Sequence, residues 1–200
     1  MLRYFLVLAV TDGSLLTASF TIGLIASGEP RGPHDVWRAV HVLIALVTVV
    51  ATLGVHSIVY TYFIATGKWA KEVVHVYGLP SWIESESKRL KRKTFRYEFN
   101  SMCLIAVVAW LGAAADTQGT NPLWHLGASA VMLGYNLLAF VVEYRAIEEH
   151  SRLLMDVKTR ADLLRAERYG IDLTPRDPDD PALVANFPPN KPESPPNLVS

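Results

Sequence analysis

His41 and His56 stand near the two ends of HVLIALVTVVATLGVHS, residues 41–57, a run whose other polar side chains are Thr48, Thr52 and Ser57. An imidazole in an apolar segment is costly unless it faces other protein groups, and its neutral nitrogen can ligate iron, accept a hydrogen bond or pass a proton. At 100° per residue, Thr48, Thr52 and His56 fall at about −20°, +20° and +60° from His41, so the four share one helical face. A later segment repeats the pattern. Measured from His125, Ser129 falls at about +40°, Met132 at −20°, Asn136 at +20° and Glu143 at 0°. Near the N-terminus, Asp12, Ser19 and Gly23 lie within about 40° of one another. Three apolar segments thus each carry a polar stripe.

The elements that must position these stripes are membrane helices. Half of the 200 residues are hydrophobic, 19% are charged and the formal net charge is zero, which argues against a soluble nucleic-acid binder. Windows without Lys or Arg, long enough to cross about 30 Å of hydrocarbon, occupy 4–27, 39–67, 99–118 and 123–144. The first carries Asp12 and lacks a small-residue cleavage site after a short apolar core, so it is expected to be retained rather than removed as a signal peptide. Residues 99–118 offer mostly small side chains, Ala106, Ala109, Gly112 and Ala113, which permit close helix approach. The expected fold is an all-α integral membrane protein, a four-helix transmembrane bundle with a polar seam. No internal repeat is legible.

Lysine and arginine concentrate in residues 68–96 and after Arg145, whereas the other two connections hold only Arg31, so the positive-inside rule places both termini and the long connection in the cytoplasm. That connection reads as helical. KWAKEVVHVYG prolongs the second helix, Gly78 to Ser81 punctuate, and Ser81-Trp82-Ile83-Glu84 has the form of a capping box, giving a cytoplasmic hairpin over 67–98. After Glu143, apolar residues recur at three- and four-residue steps as far as Gly170, so the fourth helix extends over 145–170 and the bundle unit over 1–171. The proline-rich segment 172–200 is expected to be a flexible tail. The basic run Lys88, Arg89, Lys91, Arg92 and Lys93 is a candidate for lipid-headgroup binding or simple positive-inside anchoring. Trp37, Trp69 and Trp124 read as aromatic-belt anchors, Cys103 as a small core residue, and His34, His75 and His150 as solvated.

The histidines support several chemistries. His41 and His125 fall at the same level, as needed for two imidazoles to hold one b-type haem between facing helices. Two histidines about four turns apart on one transmembrane helix, with a partner on another, resemble the general plan of membrane b-type cytochromes. The pattern is incomplete, because His56 has no histidine opposite and Met132 is only the nearest alternative ligand. His56 lies on the order of 22 Å deeper than His41, close to the levels of Asp12 and Asn136. Asp12, His56, Tyr60, Asn136 and Glu143 are therefore candidates for quinone or proton chemistry, with Asp12 orienting or charging the imidazole. The remaining reading is an accessory or scaffold subunit of a larger membrane complex, docking or self-associating through its cytoplasmic helices, in its sharper form with one haem between His41 and His125 for electron transfer. No phosphate loop, nucleophile elbow or zinc helix points to a soluble-type enzyme.

Overall fold

The computed structural model describes residues 1–28 and 35–170. Four helices follow in order: α1 (Leu2–Gly28), α2 (Val36–Tyr77), α3 (Trp82–Thr117) and α4 (Pro122–Tyr169). All four are long and apolar enough to cross a membrane. Arg31, His34 and the segment 172–200 lie outside the described residues. The bundle is the compact unit Met1–Ala161.

Local chemistry explains where the helices begin and end. Asp35 caps α2, its carboxylate accepting the Arg38 amide at 3.0 Å. Gly78 closes α2 in the left-handed region at φ 63, and both its amide and that of Leu79 turn back to the Val74 carbonyl. Asn121 accepts the Leu123 amide at 3.0 Å at the start of α4, with Pro122 in the first helical position. Gly170 adopts φ 61 just past Tyr169, the glycine stop expected from the sequence. The capping box at Ser81 does not form. Ser81 is itself helical and makes no side-chain cap, because the turn already starts at Pro80, whose carbonyl accepts the Ile83 amide; Glu84 instead pairs with Lys88 at 2.6 Å.

At 42, 36 and 48 residues, α2, α3 and α4 exceed the roughly 20 residues that hydrocarbon requires. Their surplus ends pack together. Val74, Ile83, Leu153 and Val157 form a small apolar cluster. The main core runs along the bundle through Phe5, Leu16, Val59, Phe63, Leu90, Ile105 and Ile147.

A repeat invisible in the residue types appears in the burial pattern. Along α1, Phe5, Ala9, Asp12, Leu16 and Ser19 are buried; at one constant offset along α3, so are Thr94, Glu98, Ser101, Ile105 and Val108. Likewise Thr48, Thr52, Val55, His56, Val59 and Phe63 of α2 correspond in register to Met132, Asn136, Ala139, Phe140, Glu143 and Ile147 of α4. Two helical hairpins thus present the same face with different chemistry. Cys103 corrects its sequence reading: it is exposed on the outer surface rather than in the core. Trp37, Trp69 and Trp124 are exposed, as belt anchors should be.

Because Ile83 is completely buried in the hairpin cluster, Ile83→Ala is expected to cost about 2–4 kcal/mol, read from unfolding in detergent. A loss below about 1 kcal/mol would mean that the hairpin end is not packed on α4.

Candidate functional site

The polar residues gather at three levels along the bundle. At the first, His41 of α2 and His125 of α4 face each other with ring centroids 6.2 Å apart and planes inclined at 72°. Each is held in the same way. His41 Nδ1 lies 3.1 Å from the Ser19 carbonyl of α1, and His125 Nδ1 lies 3.1 Å from the Val108 carbonyl of α3. A carbonyl only accepts, so both Nδ1 atoms carry a proton, and in the neutral ring that leaves the lone pair on Nε2. One turn beyond each carbonyl sits a glycine that makes room for the ring. A Cβ on Gly23 would come within 2.8 Å of His41 Cε1, and one on Gly112 within 2.9 Å of His125 Cε1. The two arrangements are the same motif repeated in the two hairpins. Close by, Arg38 at the start of α2 bonds Asp116 near the end of α3 at 2.8 Å, an ion pair the sequence reading missed.

The second level lies deeper, where each helix contributes one ionisable side chain: Asp12, His56, Glu98 and Glu143, all fully buried. His56 Nε2 donates to Asn136 Oδ1 at 3.0 Å, and the amide is fixed in that sense because its Nδ2 donates to the Met132 carbonyl at 2.9 Å. On its other side, His56 Nδ1 meets Glu143 Oε1 at 2.7 Å. With Nε2 already protonated, that contact holds a single proton, written either as imidazolium with carboxylate or as neutral imidazole with carboxylic acid. Phe140 stacks on the ring at 5.6 Å and is also one wall of an apolar groove of about 1050 Å³ between α1 and α4.

The carboxylate expected to orient His56 was Asp12; the structure assigns that part to Glu143. Asp12 instead accepts from Thr52 Oγ1 at 3.0 Å. The reason is register: Glu143 projects from α4, beside Asn136 two turns away, while Asp12 sits across the seam on α1. Tyr60 also falls outside the cluster, exposed and with its ring tilted against Phe95 at 5.3 Å. Met132 is buried on the seam, where its carbonyl supports Asn136. Glu98 was missed. Its surrounding basic residues read as a cytoplasmic anchor, yet Thr94, Glu98 and Ser101 continue the buried face of α3, and extending the stripe test past the apolar window would have found it. Neither carboxylate oxygen of Glu98 has a hydrogen-bond partner, and Asp12 Oδ2, Glu143 Oε2 and Ser101 Oγ are unpartnered as well.

The third level corrects the reading of His150 as solvated. It is fully buried, with Nε2 at 3.0 Å from Ser87 Oγ and its ring against Phe63 and Tyr62. The basic run 88–93 is exposed, but its members differ: Lys88 pairs with Glu84, and Arg89 pairs with Glu86 at 2.6 Å and Glu149 at 3.6 Å. Among the described residues, no group of three or more His, Cys, Asp or Glu side chains gathers around a point where a bare metal ion would sit. Comparison with protein-family models, curated proteins and solved structures finds no match to this chain.

Removing one partner of the buried pair leaves the other without compensation, so His56→Ala and Glu143→Ala are each expected to destabilise the fold by about 3–5 kcal/mol. The double variant should fall short of the sum by about 1–3 kcal/mol in a double-mutant cycle; strict additivity would show that the two side chains act independently.

Proposed function

We propose that the protein is an integral-membrane electron-transfer subunit that holds one b-type haem between His41 and His125. The observation that carries the proposal is the pair of facing imidazoles, each with Nδ1 tied to a neighbouring backbone and Nε2 left for a metal. The spacing supports it: two metal–nitrogen bonds of about 2 Å, plus about 1 Å from each nitrogen to its ring centre, give about 6 Å between centroids. Two histidines are too few to hold a bare ion, whereas they would suffice for iron carried in a porphyrin. When bound, a haem would supply a one-electron couple; His41 and His125 would hold it through Nε2, with each Nδ1 tied to a backbone carbonyl. The excess of Lys and Arg in the α2–α3 connection and after α4 supports an orientation with both termini and that hairpin in the cytoplasm and the haem site near the opposite face. Electrons need a donor and an acceptor, and other subunits of a membrane complex fill those parts.

The test is an absorption spectrum of the detergent-purified protein, oxidised and then reduced with dithionite, beside His41→Ala and His125→Ala. A reduced b-type band that both variants lose is the expected result. A featureless spectrum from folded, haem-supplemented protein would remove the proposal.

The single proton held between His56 and Glu143 favours a second reading, proton or quinone handling at the deeper cluster. The apolar groove behind Phe140 brings lipid-soluble molecules within one ring of His56. Under this reading, Asp12→Asn abolishes proton uptake by reconstituted protein while assembly is retained; parallel loss of both would assign the cluster to packing alone.

A further inference from the structure

A cavity of about 250 Å³ opens between α2 and α3 beyond their apolar runs, lined by Lys68 and Lys71 from one helix and Glu84, Ser87, Lys88 and Lys91 from the other. Four ammonium groups face one carboxylate there. Glu84 is already engaged by Lys88 at 2.6 Å, and Lys68 reaches only the exposed Glu72 at 4.0 Å. Among the described residues, neither Lys71 nor Lys91 makes an ion pair. The floor is built rather than incidental. Ser87, which is 5% exposed, is anchored through its Oγ to His150 Nε2, and Gly67 leaves the space above it: a Cβ at Gly67 would come within 3.3 Å of Ser87 Oγ. Phe63 and Ile64 form the wall toward the apolar part of the bundle, so the pocket passes from hydrocarbon-like lining to cationic lining within about one helical turn.

We propose that this pocket binds a phosphate-bearing anion, its charge held by Lys68, Lys71, Lys88 and Lys91. Lysines serve phosphate as mobile point charges, and four of them around the one carboxylate of Glu84 leave a net positive field that a single phosphate group offsets in large part. The basic run 88–93 therefore does not act as a uniform strip. Lys88 and Lys91 share the pocket with two lysines of α2, whereas Arg89, Arg92 and Lys93 lie outside it. A lipid phosphate monoester and free phosphate present the same chemistry, and the apolar wall at Phe63 and Ile64 gives the lipid form an additional place for its chain.

The test is native mass spectrometry of the full chain in mild detergent, titrated separately with phosphatidic acid, phosphatidylcholine and inorganic phosphate. Phosphatidic acid is expected to bind well above phosphatidylcholine, and Lys71→Gln/Lys91→Gln to weaken it on the order of tenfold or more. Arg92→Gln/Lys93→Gln, outside the pocket, should change it by less than about twofold. Binding of phosphatidic acid alone identifies the lipid source, and binding of inorganic phosphate with the same sensitivity identifies the soluble one. Equal loss in both double variants, or no binding of either probe, overturns the site in favour of a diffuse basic surface. Should Lys71→Gln/Lys91→Gln lower the unfolding temperature, the Lys71→Arg/Lys91→Arg variant decides: restored binding upholds the site, and persistent loss in a stable protein overturns it.

Discussion

Hydrocarbon offers no hydrogen bonds, so every polar side chain in a membrane helix must find its partner inside the protein. That constraint organises this bundle. Thr52 meets Asp12, His56 meets Glu143 and Asn136, and His41 and His125 each meet a backbone carbonyl on the adjacent helix. These contacts fix which face of each helix turns inward, and the large apolar residues between them complete the core. Interhelical hydrogen bonds in membranes are individually worth only about 1 kcal/mol, so the polar contacts specify rotation and register more than they supply stability.

The same constraint explains why the two hairpins keep one burial register while their chemistry diverges. At the His41 level the motif is duplicated: a histidine, a carbonyl on the preceding helix and a glycine one turn further on. Deeper, the duplicates separate. His56 of the first hairpin corresponds to Phe140 of the second, which stacks upon it, and Val59 corresponds to Glu143, whose carboxyl bonds His56. Two histidines or two glutamates at those positions would repeat one charge at one level. Pairing a charged residue of one hairpin with a different residue of the other yields a mixed cluster, whose components stabilise each other in a dry interior. The unpartnered oxygens of Asp12, Glu98 and Glu143 leave it incompletely satisfied.

At the other end, α2, α3 and α4 run on past their apolar stretches. The surplus lengths of α2, α3 and α4 cover each other's apolar faces through Val74, Ile83, Leu153 and Val157, leaving charged residues outward. His150, buried against Phe63 and Tyr62, links this region to the seam through Ser87.

Four long apolar helices, the hairpin turn at Gly78 and the inward stripes of α2 and α4 were legible from the sequence, because span length and helical periodicity are local properties of the chain. The shared level of His41 and His125 followed as well, since both lie near the N-terminal ends of α2 and α4, which run parallel in an up-and-down bundle. The partners of His56, the burial of Glu98 and His150, the exposure of Cys103 and Tyr60, and the repeat between hairpins were decided only by the tertiary structure. Each depends on the rotation of one helix about its axis relative to another, and a shift of a single residue, 100° of rotation, exchanges one neighbour for a different one. The residue types state that polar groups must be paired; only the packed bundle selects the pairs.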